Sequence, residues 1–252
     1  MATLPGRVAA ISPRFESSQW SIRKSAFDEL AELGAGGADK AAVAPILDLM
    51  ERAPGQAEAI RADLVHLLER ENQFVQSAGT QGSTLPEDYL EYYGNLIAAV
   101  GALKDVQAIP ALLSAITTGG NATRGLAELG EPALEPVLQQ TNNPNPSVRS
   151  SALFTIRDML NMKKLADPKS LARVDEVLRK SLEDTDPSVR TSAIWAIGAT
   201  GDKQFLPALS RIADCDPATL PGEADGGGTF YPVRHAARTV AKTLQGGTAD
   251  TH

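Results

Sequence analysis

"NPNPSVRSSALFTI" fills residues 143–156 and "DTDPSVRTSAIWAI" fills residues 184–197, so one chain states nearly the same phrase twice, 41 residues apart. Both copies carry Pro-Ser-Val-Arg, and both set an aromatic, Phe154 or Trp195, at the same later place. The local chemistry is that of a helix start. Asn145 and Asp186 have side chains that can accept the orphan N–H groups of a first turn. Pro146 and Pro187 suit the first helical position, where a missing N–H costs nothing. Further in, Val189, Ala193, Ile194 and Ile197 fall on one stripe, as do Val148, Ala152, Leu153 and Ile156. Gly198 and Gly201 read as helix breakers, with a short second helix following through Phe205, Leu206, Leu209 and Ile212. The unit is a helical hairpin. One hairpin cannot bury its apolar faces alone, so neighbours must stack.

The frame recurs elsewhere. Val-Arg with Ala three residues on appears at 148–152, 189–193 and 233–237, and Ile22-Arg23 with Ala26 repeats it near the N-terminus. A second overlay sets "LIAAVGALKDVQAIPALL" (96–113) on "AIWAIGATGDKQFLPALS" (193–210), matching Gly101 to Gly198, Asp105 to Asp202 and Pro110 to Pro207. In the 86–117 unit Tyr92 and Tyr93 replace Val and Arg, and the unit at 120–140 is shortened. These segments resemble the HEAT repeat, particularly the short bacterial kind also seen in phycobilisome lyase subunits. Its signature runs like Asp-x-x-Val-Arg-x-x-Ala-x-x-Ala-Leu-Gly. The resemblance is good over 86–213 and fair over 17–53 and 229–245. It implies an all-α fold, a right-handed α-solenoid of about six irregular HEAT-like helical hairpins. The expected layout is an N-terminal extension at 1–14 and one continuous solenoid over 15–246. A flexible connection is expected near 77–86, an inserted loop at 214–230 and a disordered tail at 247–252.

Composition narrows the function. The chain has 252 residues, 42% hydrophobic and 22% charged, with a net charge of −7. That acidity argues against a nucleic-acid surface, which needs clustered Lys and Arg. The single cysteine, Cys215, rules out an internal disulfide or a cysteine-built metal cluster. No apolar run has signal-peptide or membrane-span length. The expectation is a cytoplasmic monomer of bacterial type, and a chain whose leader had been removed would read identically.

The sequence holds no recognisable catalytic, cofactor-binding or metal-binding set, so no enzyme and no cofactor are expected. His66, His235 and His252 stand far apart, without the paired His-Glu motifs of iron-binding HEAT-type hydroxylases. There is no phosphate-binding Gly loop and no nucleophile elbow. Asp214, Asp216, Glu223 and Asp225 lack the alternating spacing of a calcium loop. The repeated arginines Arg23, Arg149, Arg190 and Arg234 read as a structural ladder, bonding neighbouring carboxylates or helix-end carbonyls. Tyr89, Tyr92 and Tyr93 share one helix face and read as core and rim packing.

What remains is recognition of another protein. Stacked hairpins present an extended concave face, larger than a small-molecule pocket needs. The candidate partner-binding residues on second helices are Gln107, Ser114, Glu135, Gln139, Arg173, Glu176, Gln204 and Arg211. Phe154 and Trp195 fall nearly opposite the buried stripe and form a candidate outer aromatic patch. That patch is either a partner surface or a step covered by the 214–230 insertion through Leu220, Pro221 and Phe230, and cover is the expectation. The resemblance to bilin-lyase subunits adds a second reading, a component of an enzyme complex. A nucleic-acid-binding HEAT protein is the weakest, and no membrane partner is expected.

Overall fold

The structure, a computed structural model, describes residues 3–35, 43–221 and 229–246. Among these residues the chain is an all-α solenoid of stacked helical hairpins, with one two-stranded β pairing. It divides into two compact units, Met1–Leu129 and Gly130–His252, each with its own core.

The first unit begins with α1 (Leu4–Ile11), capped by Thr3, which buries Val8 and Ile11. The segment expected as an extension is therefore a packed helix, held because its apolar face and the following Phe15 are buried. Then come α2 (Trp20–Ala35), α3 (Val43–Arg52), α4 (Ala57–Thr80), α5 (Glu87–Ala102), α6 (Ile109–Ser114) and α7 (Gly120–Leu129). α5 packs against α2, α3, α4 and α7. Helix α4 continues through residues 77–80, so the connection expected over 77–86 narrows to 81–86. Ala78 is buried and the Thr80 hydroxyl donates to the Ser77 carbonyl, which holds the final turn despite its loop-like composition. The α5–α7 crossing is made by two glycines. A Cβ on Gly125 would stand 2.7 Å from the Gly101 Cα, so neither position has room for a side chain.

The second unit comprises α8 (Glu131–Gln140), α9 (Pro146–Asn161), α10 (Pro168–Ser181), α11 (Pro187–Thr200), α12 (Leu206–Cys215) and α13 (Pro232–Leu244). The two quoted phrases open α9 and α11, with Asn145 and Asp186 as N-caps and proline at the first position. α11 lies between α9 and α13, and α8, α10 and α12 pack behind as second helices. Val189, Ala193, Ile194 and Ile197 are buried as the stripe requires, but so are Ser192 and Ala196. A helix with first-helix neighbours on both sides buries more than one stripe. Gly198 does not break α11. It lies inside the helix, where an added Cβ would touch both Val240 methyls at 3.4 Å, and only Gly201, at φ 69°, ends it.

In the insertion, residues 214–215 complete α12, and β1 (Leu220–Pro221) pairs antiparallel with β2 (Thr229–Phe230). Glu223 and Asp225 of the insertion, the expected tail at 247–252 and His252 lie outside the described residues. No helix among the described residues is long and apolar enough to cross a membrane.

Candidate partner-binding surface

Three of the four frame arginines repeat one constellation. In each, Nη1 donates to the carbonyls six and five residues back: Ser17 and Ser18 for Arg23, Asn143 and Pro144 for Arg149, Asp184 and Thr185 for Arg190. Nε and Nη2 then grip one carboxylate further along the chain: Glu71, Asp184 and Asp216 respectively. Such bidentate, charge-assisted pairs are the strong members of their class. The acceptors are organised too. The Asp184 and Asp216 carboxylates also take the N–H of Asp186 and Ala218, tightening the turns that carry them. Arg234 departs from the pattern, since its Nε reaches the Asp216 carbonyl eighteen residues back, across the insertion, and its guanidinium lies 4.1 Å from the Tyr231 ring centre.

The electrostatics follow. Burial by itself raises the Asp216 carboxyl, but Arg190, the Ala218 N–H and nearby Arg234 outweigh it, leaving the group below its ordinary value. Asp184 is lowered by the same balance, with Arg149 as its main partner, and Arg149 is raised in turn by Asp184.

The Arg23 version is buried. Glu71 is 0% exposed and accepts not only the guanidinium but also the hydroxyls of Tyr89 and Tyr92, each at 3.0 Å. Next to it Asn72 accepts from Tyr93 and donates to the Ala111 carbonyl at 2.9 Å. All three tyrosines are buried, so the packing reading holds for their rings, while their hydroxyls anchor a polar network that the reading omitted. Its signal is visible in the sequence. Glu71 continues the apolar stripe Leu64, Leu67 and Leu68 at helical spacing, where an unpaired charge would be costly.

All eight candidate partner-binding residues are exposed. Gln107 and Gln204 follow equivalent turns, where Asp105 and Asp202 accept their backbone N–H. Only Glu135 and Arg173 are brought together, at 3.4 Å across α8 and α10. Two further rungs join those helices. Glu131 accepts from the Ala166 and Asp167 N–H groups and the Ser170 hydroxyl, and Lys180 donates to Asn142 at 2.6 Å. Gln139, Glu176, Gln204 and Arg211 make no side-chain hydrogen bond or ion pair among the described residues. On the far side of α10, Arg179 lies 4.4 Å over the Phe205 ring.

Phe154 and Trp195 are half-buried, and the Arg157 guanidinium lies 4.7 Å from the Phe154 ring centre. Two of the three insertion residues expected to cover them leave much of their own apolar surface in solvent. Leu220 and Phe230 stay 54% and 44% exposed, and Phe230 leans on His235 at 5.7 Å. Among the described residues, no three His, Cys, Asp or Glu side chains are grouped to hold a metal.

Comparison with known proteins places repeats in the second unit. The model of the family described as HEAT repeats matches residues 134–220. A curated relative, Protein mini spindles of Drosophila melanogaster, is 26% identical over a 218-residue alignment that covers 82% of this chain. The chain spans only 10% of that relative's length. Among solved structures, an engineered protein aligns over 95% of this chain and 99% of its own, at 14% identity and a TM-score of 0.48. Computationally designed armadillo repeat proteins for modular peptide recognition align over 94% of this chain and 99% of theirs, at 16% identity and a TM-score of 0.43.

Proposed function

We propose that this chain is a non-catalytic scaffold that seats a partner protein on the second-helix face of Gly130–His252, acting as a cytoplasmic monomer. One observation carries the reading: Gln139, Glu176, Gln204 and Arg211 stand exposed on or beside α8, α10 and α12 without a side-chain partner among the described residues. The arginines of the first helices are, by contrast, spent on the fold itself. Glu135 and Arg173 belong to the same face, and Gln107 and Ser114 are the corresponding exposed positions in Met1–Leu129. HEAT repeats, matched here over 134–220, are typical of protein-interaction scaffolds, which supports the reading.

The test is affinity capture by the immobilised wild-type chain with quantitative mass spectrometry. A triple variant, Gln139→Ala, Glu176→Ala and Arg211→Ala, runs beside a control, Ser147→Ala with Ser188→Ala, on the first helices. A partner on the second-helix face falls at least tenfold with the triple variant and persists with the control. The opposite pattern removes the reading. Pigment co-purifying with the chain would instead favour the bilin-lyase-like role, and elution at the mass of a dimer would remove the monomer.

A further inference from the structure

In stacked repeats each hairpin touches only its neighbours, so stability is a sum of local and nearest-neighbour contributions and a terminal hairpin can open alone. The rim of Gly130–His252 works against that, because single residues serve two hairpins. The Asp184 carboxylate takes Arg149, while its carbonyl takes Arg190. The Asp216 carboxylate takes Arg190, while its carbonyl takes Arg234. Each of these aspartates also shapes its own turn through the N–H two residues on. Moving one hairpin therefore disturbs the acceptor on which the next arginine depends. Releasing α13 takes Arg234 from the Asp216 carbonyl and loosens the turn that presents the Asp216 carboxylate to Arg190, whose side chain is only 12% exposed and poorly placed to recruit water.

We infer that this arginine–aspartate rim is a conformational coupler: it makes α9, α11 and α13 open as one cooperative block, with Arg190 as the link between α11 and α13. Packing joins α11 to α9 and also to α13, and the Ser150 and Ser192 hydroxyls of α9 and α11 bond at 2.7 Å. The α13 side has a further tie, Arg238 to the Ala213 carbonyl at 2.9 Å. The result is a stiff platform beneath the second helices.

Native-state hydrogen exchange of the full chain, read by mass spectrometry in low denaturant, tests the coupling. In the wild type, peptides covering the cores of α9, α11 and α13 exchange with one shared opening constant. Arg190→Lys keeps the charge and stem but loses the two-pronged grip. It speeds α13 exchange at least tenfold while α9 stays within twofold of wild type. Asp216→Asn, which keeps an oxygen for the Ala218 N–H, gives the same split. Arg149→Lys releases α9 and leaves α11 and α13 together. The inference is overturned if α13 opens separately in the wild type, or if all three variants speed the three helices equally.

Discussion

Arg190 and Asp216, twenty-six residues apart, meet edge to edge: Nε lies 2.7 Å from one carboxylate oxygen and Nη2 lies 2.8 Å from the other. Their side chains are 12% and 5% exposed, so neither charge has much water to fall back on. Removing the cation leaves a mostly buried carboxylate without its partner, which costs more than the pair itself is worth. Arg190→Ala should therefore lower stability by about 3 kcal/mol, the lower end for a broken buried pair. Arg173→Ala removes an exposed pair with Glu135 and should cost about 0–1 kcal/mol. Urea unfolding followed by circular dichroism ranks the two. Equal losses would mean that the rim pairs act as ordinary surface ion pairs.

The same carboxylates set an acid limit. Asp184 and Asp216 sit below their ordinary values in the fold, because their arginine and N–H donors outweigh a burial that works the other way. A depressed folded value means stability that is complete above the unfolded value, about pH 4, and lost as pH falls through the folded one. Stability should drop on acidification below about pH 4. Replacing both by Asn should lower stability at neutral pH and flatten that acid limb. A double variant with an unchanged acid limb would remove these two groups as its cause.

At the alkaline end the tyrosines take over. Burial, then the Glu71 carboxylate, raises Tyr89 and Tyr92 well above the ordinary phenol, and burial pushes Tyr93 up to about 12. Raised folded values keep their stabilisation intact below the unfolded value and lose it as pH rises, here above about pH 10. Phenolate absorbance from these three should appear together with loss of helical signal. Ionisation of all three while the helices persist would show that the Glu71 network is open to solvent. Glu71→Gln, which leaves Arg23 buried without an anion, should cost about 3–5 kcal/mol.

Gly125→Ala tests the tightest crossing in the first unit. The new methyl would meet the Gly101 backbone at 2.7 Å, and backbone cannot rotate away as a side chain can. Overpacking of this kind costs roughly 1–3 kcal/mol. The expected outcome is a lower unfolding midpoint, although alanine is the better helix former. A midpoint raised by the substitution would mean that α5 and α7 stand further apart.

Helix starts at Pro146 and Pro187 were readable because cap, proline and stripe are all local. The rim was half-readable. Asp184 stands six residues before Arg190 in a repeated phrase, whereas nothing near Arg23 points to Glu71, 48 residues on. In sequence, Tyr92 and Tyr93 are a departure from the Val and Arg of the repeat. That departure is a change of chemistry, in which phenol hydroxyls address Glu71 and Asn72 on α4. Six of the eight candidate positions lie on second helices, whereas Gln107 and Gln204 fall in the 3-10 turns just before α6 and α12, and helical phase decides exposure but not what binds.

The outer aromatic pair remains the sharpest place to separate packing from recognition. A lid would bury its own apolar residues, yet Leu220 and Phe230 keep about half of their surface in solvent, and Phe230 rests on His235. Trp195 is half-buried. In a Trp20→Phe background, which leaves Trp195 as the sole tryptophan, replacing residues 217–230 with a short Gly-Ser linker should leave its emission maximum and acrylamide quenching unchanged. A red shift with stronger quenching would restore the covering role of the insertion. Protection of Trp195 by a captured partner, with no response to the linker, would make Trp195 part of a second docking surface apart from the second-helix face.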